Sequence, residues 1–247
     1  MRQKRFTVGT DRKEYIIKME FKFSNRISGV QGSAIREIFK YGNRPEVISL
    51  AGGNPAPELF PSKEFAEILA EILAKKPTEA LQYGVTEGYA PLREYVKKFI
   101  AERENIGRDF DETIIVSGGQ QGIDLATKVL VNEGDAVIVE EPSFIGALNA
   151  FRAYGAKLVG VPVKNDGMDI DVLEQKLNET ENVKIIYTIP TFQNPSGVTM
   201  SEEKRKKLYA LAKKYGVQLV VRSSLNESEG TIVKGVGKKM ERMLISG

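Results

Sequence analysis

Four short stretches combine residue types that could hold an anionic or flat ligand: Ser117-Gly118-Gly119-Gln120, Glu141-Pro142-Ser143-Phe144, Pro190 to Gly197, and Tyr83 to Gly88. In the first, glycines let the backbone approach a ligand closely. A helix starting there would aim unpaired amides and the positive end of its dipole at a phosphate. Ser117, Gly119 and Gln120 are the candidate donors. The same residues also make an ordinary tight turn from strand to helix, and the fuller Gly-x-Gly-x-x-Gly spacing of dinucleotide folds is absent. Phe144 could lie over a flat ring or serve only as core, and Ser143 could cap a helix. Asn194 sits in a loop stiffened by Pro190 and Pro195, so its amide could donate to a phenolate-like oxygen. An Asx-type turn leading into a helix capped by Ser201 is the alternative. The Tyr83 hydroxyl could reach a phosphate, or the residue could belong to a plain loop or a subunit contact.

Composition narrows the chemistry further. The chain contains no cysteine, histidine or tryptophan, which excludes disulfides, thiolate chemistry, imidazole bases and the usual zinc ligand sets. Any proton transfer would fall to Lys, Tyr, Asp or Glu. With 36 basic and 33 acidic side chains the formal charge is +3, which gives no reason to expect a nucleic-acid partner. No run approaches the roughly 18 apolar residues that cross a bilayer, so no membrane partner is expected. The opening 18 residues are basic without a long apolar stretch and do not read as a secretion signal; a cytoplasmic location is the expectation.

The elements that must position these stretches show in the hydrophobic rhythm. Met1–Lys18 reads as an extension, and a short amphipathic helix is predicted over Ser33–Tyr41. A helix follows over Lys63–Lys75, capped by Ser62, with Phe65, Ile68, Leu69, Ile72 and Leu73 on one face. Pro91 stands in the first turn of another, which carries Leu92, Tyr95, Val96 and Phe99 at helical spacing. From Thr113 the apolar runs Thr113–Val116, Ala136–Glu140, Lys157–Val161, Val183–Thr188 and Val217–Val221 alternate with helices near 120–131, 143–154, 169–178 and 201–215. That alternation predicts an α/β fold: a three-layer sandwich whose mostly parallel sheet has helices on both faces. Ligands of such sheets sit beyond the carboxyl ends of the strands, where the loops beginning at Ser117, Glu141, Ile189 and Arg222 lie. After Val221 the rhythm fails; Thr231–Val233 and Met243–Ile245 are the only apolar fragments in a stretch of glycines and lysines.

Taken in order, ISLAGGNPAPELFP, LQYGVTEGYAPLRE, VSGGQQGIDLATKVLVNEGDAVIVEEPSF and YTIPTFQNPSGVTMSEEKRKKLYALAKKY resemble the fold-type-I pyridoxal-phosphate enzymes. The likeness is greatest to archaeal and bacterial aminotransferases acting on aromatic, aminoadipate or branched amino acids, and it runs from about Phe23 to Val221. It implies pyridoxal 5'-phosphate as cofactor and amino-group transfer between an amino acid and a 2-oxo acid. By the same resemblance, Gly119 and Gln120 would cradle the phosphate, Phe144 would stack on the pyridine ring and Asn194 would bond its O3′ oxygen. Tyr83 would reach the phosphate in a partner subunit's site, making a homodimer the expected assembly, and Gly53 would lie near the substrate carboxylate. Residues 19–75 would belong to the segment related to the small domain and the domain connection. Residues 76–221 would form part of the cofactor-binding large domain, and 222–247 an atypical tail.

Departures from the family pattern set a second expectation. Arg222 stands where relatives place the Asp that pairs with the pyridine nitrogen, and Leu225 where they place a Tyr that bonds O3′. A carboxylate there keeps the ring nitrogen protonated and the ring an electron sink; an arginine opposes that protonation. The family's Schiff-base lysine and substrate-binding arginine contexts are not recognisable either. Lys234 is nearest by position but lacks the family surroundings, so no residue is assigned a catalytic role. The chain therefore reads as a relative truncated or altered after Val221 and inactive in isolation, or as a non-catalytic remnant that binds or assembles. The family sheet has the strand order 3-2-4-5-6-7-1, and this sequence supplies five strands. The Thr113–Val116 strand should then be separated from the rest by two absent strands, a gap that the tail fragments could patch.

Overall fold

The computed structural model describes residues 24–28, 47–48, 57–104, 107–108, 110–223 and 243–246. A single turn, α1 (Asn25–Ser28), precedes α2 (Ser62–Lys75), α3 (Pro77–Leu81) and α4 (Ala90–Glu104). Then come α5 (Gly118–Leu130), β1 (Ala136–Glu141), α6 (Ile145–Ala153), β2 (Lys157–Lys164), β3 (Gly167–Met168) and α7 (Ile170–Glu179). The series ends with β4 (Val183–Thr188), α8 (Glu202–Tyr215), β5 (Gln218–Ser223) and β6 (Met243–Ser246).

The strands form one sheet in the order β3-β2-β1-β4-β5-β6. Every pairing is parallel except the short β2–β3 hairpin, where Val163 faces Met168. Parallel neighbours require crossover connections, and the helices between strands supply them on both faces. On one face, Ile123 and Ala126 of α5 and Ala147, Ala150 and Phe151 of α6 pack on Val137, Val139, Ile185, Tyr187 and Val220. On the other, Leu173 and Leu177 of α7 and Leu208, Leu211 and Ala212 of α8 pack on Ile138, Val161, Ile186, Leu219 and Val221. The predicted three-layer α/β sandwich is thus present, and the period of two along each strand assigns each side chain to its layer. Full burial of side chains as large as Phe151 and Ile138 contributes about 1.5–3 kcal/mol each. Phe151 and Tyr187 add an edge-to-face contact with centroids 5.5 Å apart.

Local chemistry sets the ends of the helices. Asp169 caps α7, its side chain accepting from the Asp171 and Val172 amides, and Ser201 caps α8 by accepting from the Lys204 amide. Gly216 stops α8 in the left-handed conformation at φ 66°, where a side chain would be strained. Two predicted caps are corrected. Ser62 lies inside the first turn of α2 after Pro61, with no capping hydrogen bond, and Phe144, not Ser143, occupies the cap position of α6. The Ser143 hydroxyl is buried without a partner.

The strand expected at Thr113–Val116 is also corrected: these residues belong to no ladder. A strand needs a hydrogen-bonded neighbour, and here the Ile115 amide donates to the Glu87 carbonyl of a loop, 2.9 Å away. The edge of β5 is taken instead by β6, with Val220 opposite Met243 and Arg222 opposite Ile245. Of the two tail fragments, Met243–Ile245 therefore joins the sheet, while Thr231–Val233 lies outside the described residues. So do Met1–Lys18, the helix predicted over Ser33–Tyr41, Leu225 and Lys234. In α2 the apolar face forms as predicted, yet no residue of the helix is buried. No helix among the described residues is long and apolar enough to cross a membrane.

Candidate functional site at the carboxyl ends of the strands

The first turn of α5 begins at Gly118, so the amides of Gly119 and Gln120 have no carbonyl one turn earlier in the helix to which they could donate. Gly119 is buried and Gln120 is exposed. The Gln120 side chain reaches sideways, Nε2 donating to the Gly146 carbonyl at 3.0 Å, and so ties the start of α5 to the start of α6. Ser117 turns its own amide to the Gln121 Oε1 atom, which removes it from the set of free donors expected there. Gly146 has to be a glycine for this junction. A Cβ at 146 would come within 2.5 Å of the Phe144 ring and collide with the Gln120 side chain.

Phe144 is half-buried beside this junction. The Arg222 guanidinium lies over its ring, with Cζ 4.5 Å from the centroid. Residue 222 can reach it because β5 alternates: Leu219 and Val221 face α7 and α8, while Val220 and Arg222 face α5 and α6. Tyr187, on the same side, has its hydroxyl buried without a well-formed hydrogen bond. Burial pushes its phenol above the ordinary range, and the positive charge of Arg222 opposes that rise.

The loop from Ile189 to Met200 is held from two sides by residues that the sequence reading did not single out. Glu140, at the end of β1, is only 2% exposed. Its Oε1 accepts from Thr188 Oγ1 at 2.5 Å, and its Oε2 accepts from the Ile189 amide and from Gln193 Nε2, both at 3.1 Å. Burial pushes the Glu140 carboxyl up to about 7, against the downward pull of the bonds from Thr188, Gln193 and Ile189. Gln193, also 2% exposed, donates in addition to the Pro142 carbonyl and accepts from the amide and hydroxyl of Ser196. From α8, the buried Arg205 donates to the carbonyls of Met200 and Pro190 and to Thr191 Oγ1 at 2.8, 2.9 and 3.1 Å. Between these two anchors Asn194 is exposed at the loop's tip. The signal that could have found Glu140 is its place in the apolar run of a central strand: an acid buried there must be paired, and Thr188 and Gln193 are the polar residues at the neighbouring strand's end.

Three of the candidate stretches therefore converge. Gln120 to Gly146 joins the first to the second, and Gln193 to Pro142 joins the second to the third. Tyr83 stands apart, fully exposed at 100%, in a loop fixed near the start of α5. The fixing contacts are the Glu87–Ile115 hydrogen bond and Gly88, at φ 102°, where an added Cβ would lie 2.7 Å from Ile115. Arg93 of α4 reinforces this, Nε donating to the Thr113 carbonyl at 2.6 Å. Gly53 lies outside the described residues. Among the described residues there is no cluster of three or more carboxylates placed to hold a metal ion.

The sequence pattern of the family described as aminotransferase class I and II matches residues 45–222. Aromatic-amino-acid aminotransferase 1 of Thermococcus litoralis is 46% identical over 202 residues, covering 80% of this chain and 48% of that protein. The 2-aminoadipate transaminase of Thermus thermophilus is 43% identical, with 80% and 48% covered. Among solved structures, the kynurenine aminotransferase of Pyrococcus horikoshii superposes with a TM-score of 0.76 at 42% identity, over 82% of this chain and 51% of that one. The chain thus spans about half the length of the curated relatives it matches.

Proposed function

Because the chain belongs to the class I and II aminotransferases, we propose that its converging loops are the part of a cofactor site that grips phosphate and ring oxygen. We further propose that the polypeptide, with Arg222 in place, does not itself transfer amino groups. Pyridoxal phosphate dependence is a defining feature of this family. The phosphate role proposed for Gly119 and Gln120 is supported by their place in the first turn of α5 beside a buried glycine. A role for Asn194 at the ring oxygen is supported by the two anchors that hold its loop, Glu140 with Gln193 and Arg205.

The ring end does not suit the group. Flat groups stack on a phenyl face with centroids about 4.5–7 Å apart, and the Arg222 guanidinium already stands 4.5 Å over Phe144. The same arginine puts a positive charge where the ring chemistry calls for a carboxylate. The family's substrates, an amino acid and a 2-oxo acid, define the class of molecule to offer the site.

We also propose that 76–221 is the cofactor-binding unit and that two copies of the chain associate. Support for the second point comes from the exposed Tyr83 and from the uncovered apolar stripe of α2, Phe65, Ile68, Leu69, Ile72 and Leu73. The single observation that carries the functional reading is the guanidinium of Arg222 on Phe144 among loops otherwise tied together. Incubating the protein with pyridoxal phosphate, reducing with borohydride and mapping any adduct by mass spectrometry tests it. Scattered, substoichiometric labelling of surface lysines is expected, with no amino transfer from glutamate to a 2-oxo acid. One stoichiometric adduct accompanied by turnover would refute it.

A further inference from the structure

We propose, on the premise that Phe144 is the stacking partner described above, that Arg222 is an internal occupant of the ring site and holds it closed against flat ligands. A guanidinium is planar, permanently charged and weakly hydrated, so it stacks on a phenyl face much as an aromatic cation does. Here it lies 4.5 Å over the Phe144 ring, so the aromatic face holds it, on the same side of the sheet as the buried Tyr187. Strand alternation leaves it no other layer to enter: residue 222 faces α5 and α6, and β6 lies alongside β5 with Ile245 opposite. The Phe144 ring is packed against Gly146, as is the Gln120 side chain, so the α6 start leaves no space on that side. A short side chain at 222 would end below the Phe144 face and leave it open. An arginine reaches over it.

The test is the affinity for pyridoxamine phosphate, a flat phosphorylated pyridine with no aldehyde to react with surface lysines. Equilibrium dialysis of the full chain measures it for wild type, Arg222→Ala, Arg222→Lys, Phe144→Leu and the double variant Arg222→Ala/Phe144→Leu, with far-UV circular dichroism confirming the fold of each. Arg222→Ala is expected to bind about tenfold more tightly than wild type, the size set by freeing a partly desolvated cation–π contact. Arg222→Lys, which keeps the charge but loses the planar stack, is expected to fall between them and serves if the alanine variant does not fold. The gain should vanish in the double variant. Equal or tighter binding by wild type would overturn the occupant role and make Arg222 a ligand contact, leaving the cofactor-grip reading standing. Failure of every variant to bind would overturn both.

Discussion

Replacing Glu140 by glutamine isolates one buried carboxyl in a chain unusually free of competing titrations. The wild-type group has an ordinary value of 4.5 and is raised to about 7 in the fold, chiefly by burial. Between those values the folded protein keeps a proton that the unfolded chain has released, so stability falls as pH rises and levels off above about 7. At about 1.4 kcal/mol per pH unit the interval amounts to roughly 3 kcal/mol. For a chain of this size that is a fall in Tm of roughly 6–12 °C, of which roughly 4–8 °C lies above pH 5.5. Glutamine mimics the protonated state: its amide nitrogen, in place of Oε1, donates to Thr188 Oγ1, while its oxygen accepts from the Ile189 amide and Gln193 Nε2. Thermal melts at constant ionic strength from pH 5.5 to 8 should fall for wild type and stay nearly flat for Glu140→Gln. Neither histidine nor cysteine is present to titrate in this window, and the ion-paired acids Asp166, Asp169, Glu202 and Glu203 are held below their ordinary values, so they are already charged throughout. Parallel curves for the two proteins would refute the reasoning, because the slope would then come from some other group.

Three further outcomes are expected. Arg205→Met strands the Met200 carbonyl and leaves the Pro190 carbonyl with its bond from the Met200 amide, which lowers stability in urea melts by about 2 kcal/mol, and Arg205→Lys recovers part of the loss. Asp169→Ala removes the α7 cap and the 2.6 Å pair with Lys164, at a cost of about 1 kcal/mol near neutral pH. Because Lys164 holds the Asp169 carboxyl below its ordinary 3.8, that cost should shrink in melts taken below this value, where the wild type loses the same charge. Ile68→Glu on the uncovered face of α2 should convert a dimer to a monomer in sedimentation velocity while leaving the far-UV circular dichroism unchanged; a wild type that sediments as a monomer would contradict the proposed association.

The layers of the fold were legible because apolar runs of four to six residues alternate with amphipathic helices, and central parallel strands cannot be built any other way. Thr113–Val116 has the composition of a strand but no ladder partner, something no local pattern records, whereas Met243–Ser246, in a stretch of weak rhythm, found the edge of β5. Ser62 and Ser143 carry the right hydroxyl for a cap yet sit one position away from the place where it would serve. At the site, the glycines before α5, Phe144 and the loop of Asn194 could be picked out by type and spacing. The groups that hold them together could not. Glu140 and Gln193 are 53 positions apart, and Arg205 acts on the loop from the far side of a helix start. Arg222 was readable as a reversal of charge, but its stacking on Phe144 depends on the alternation of β5 relative to α6, which exists only in the folded sheet.

Backbone amide shifts report which loops meet a flat phosphorylated ligand. Adding pyridoxamine phosphate at millimolar concentration to the 15N-labelled Arg222→Ala protein should shift Gly119 and Gln120 most, followed by Phe144 to Gly146 and Asn194, with inorganic phosphate reproducing only the Gly119 and Gln120 part. Shifts that leave Gly119 and Gln120 untouched, or that cluster away from the ends of β1, β4 and β5, would contradict the proposed grip on phosphate and ring oxygen.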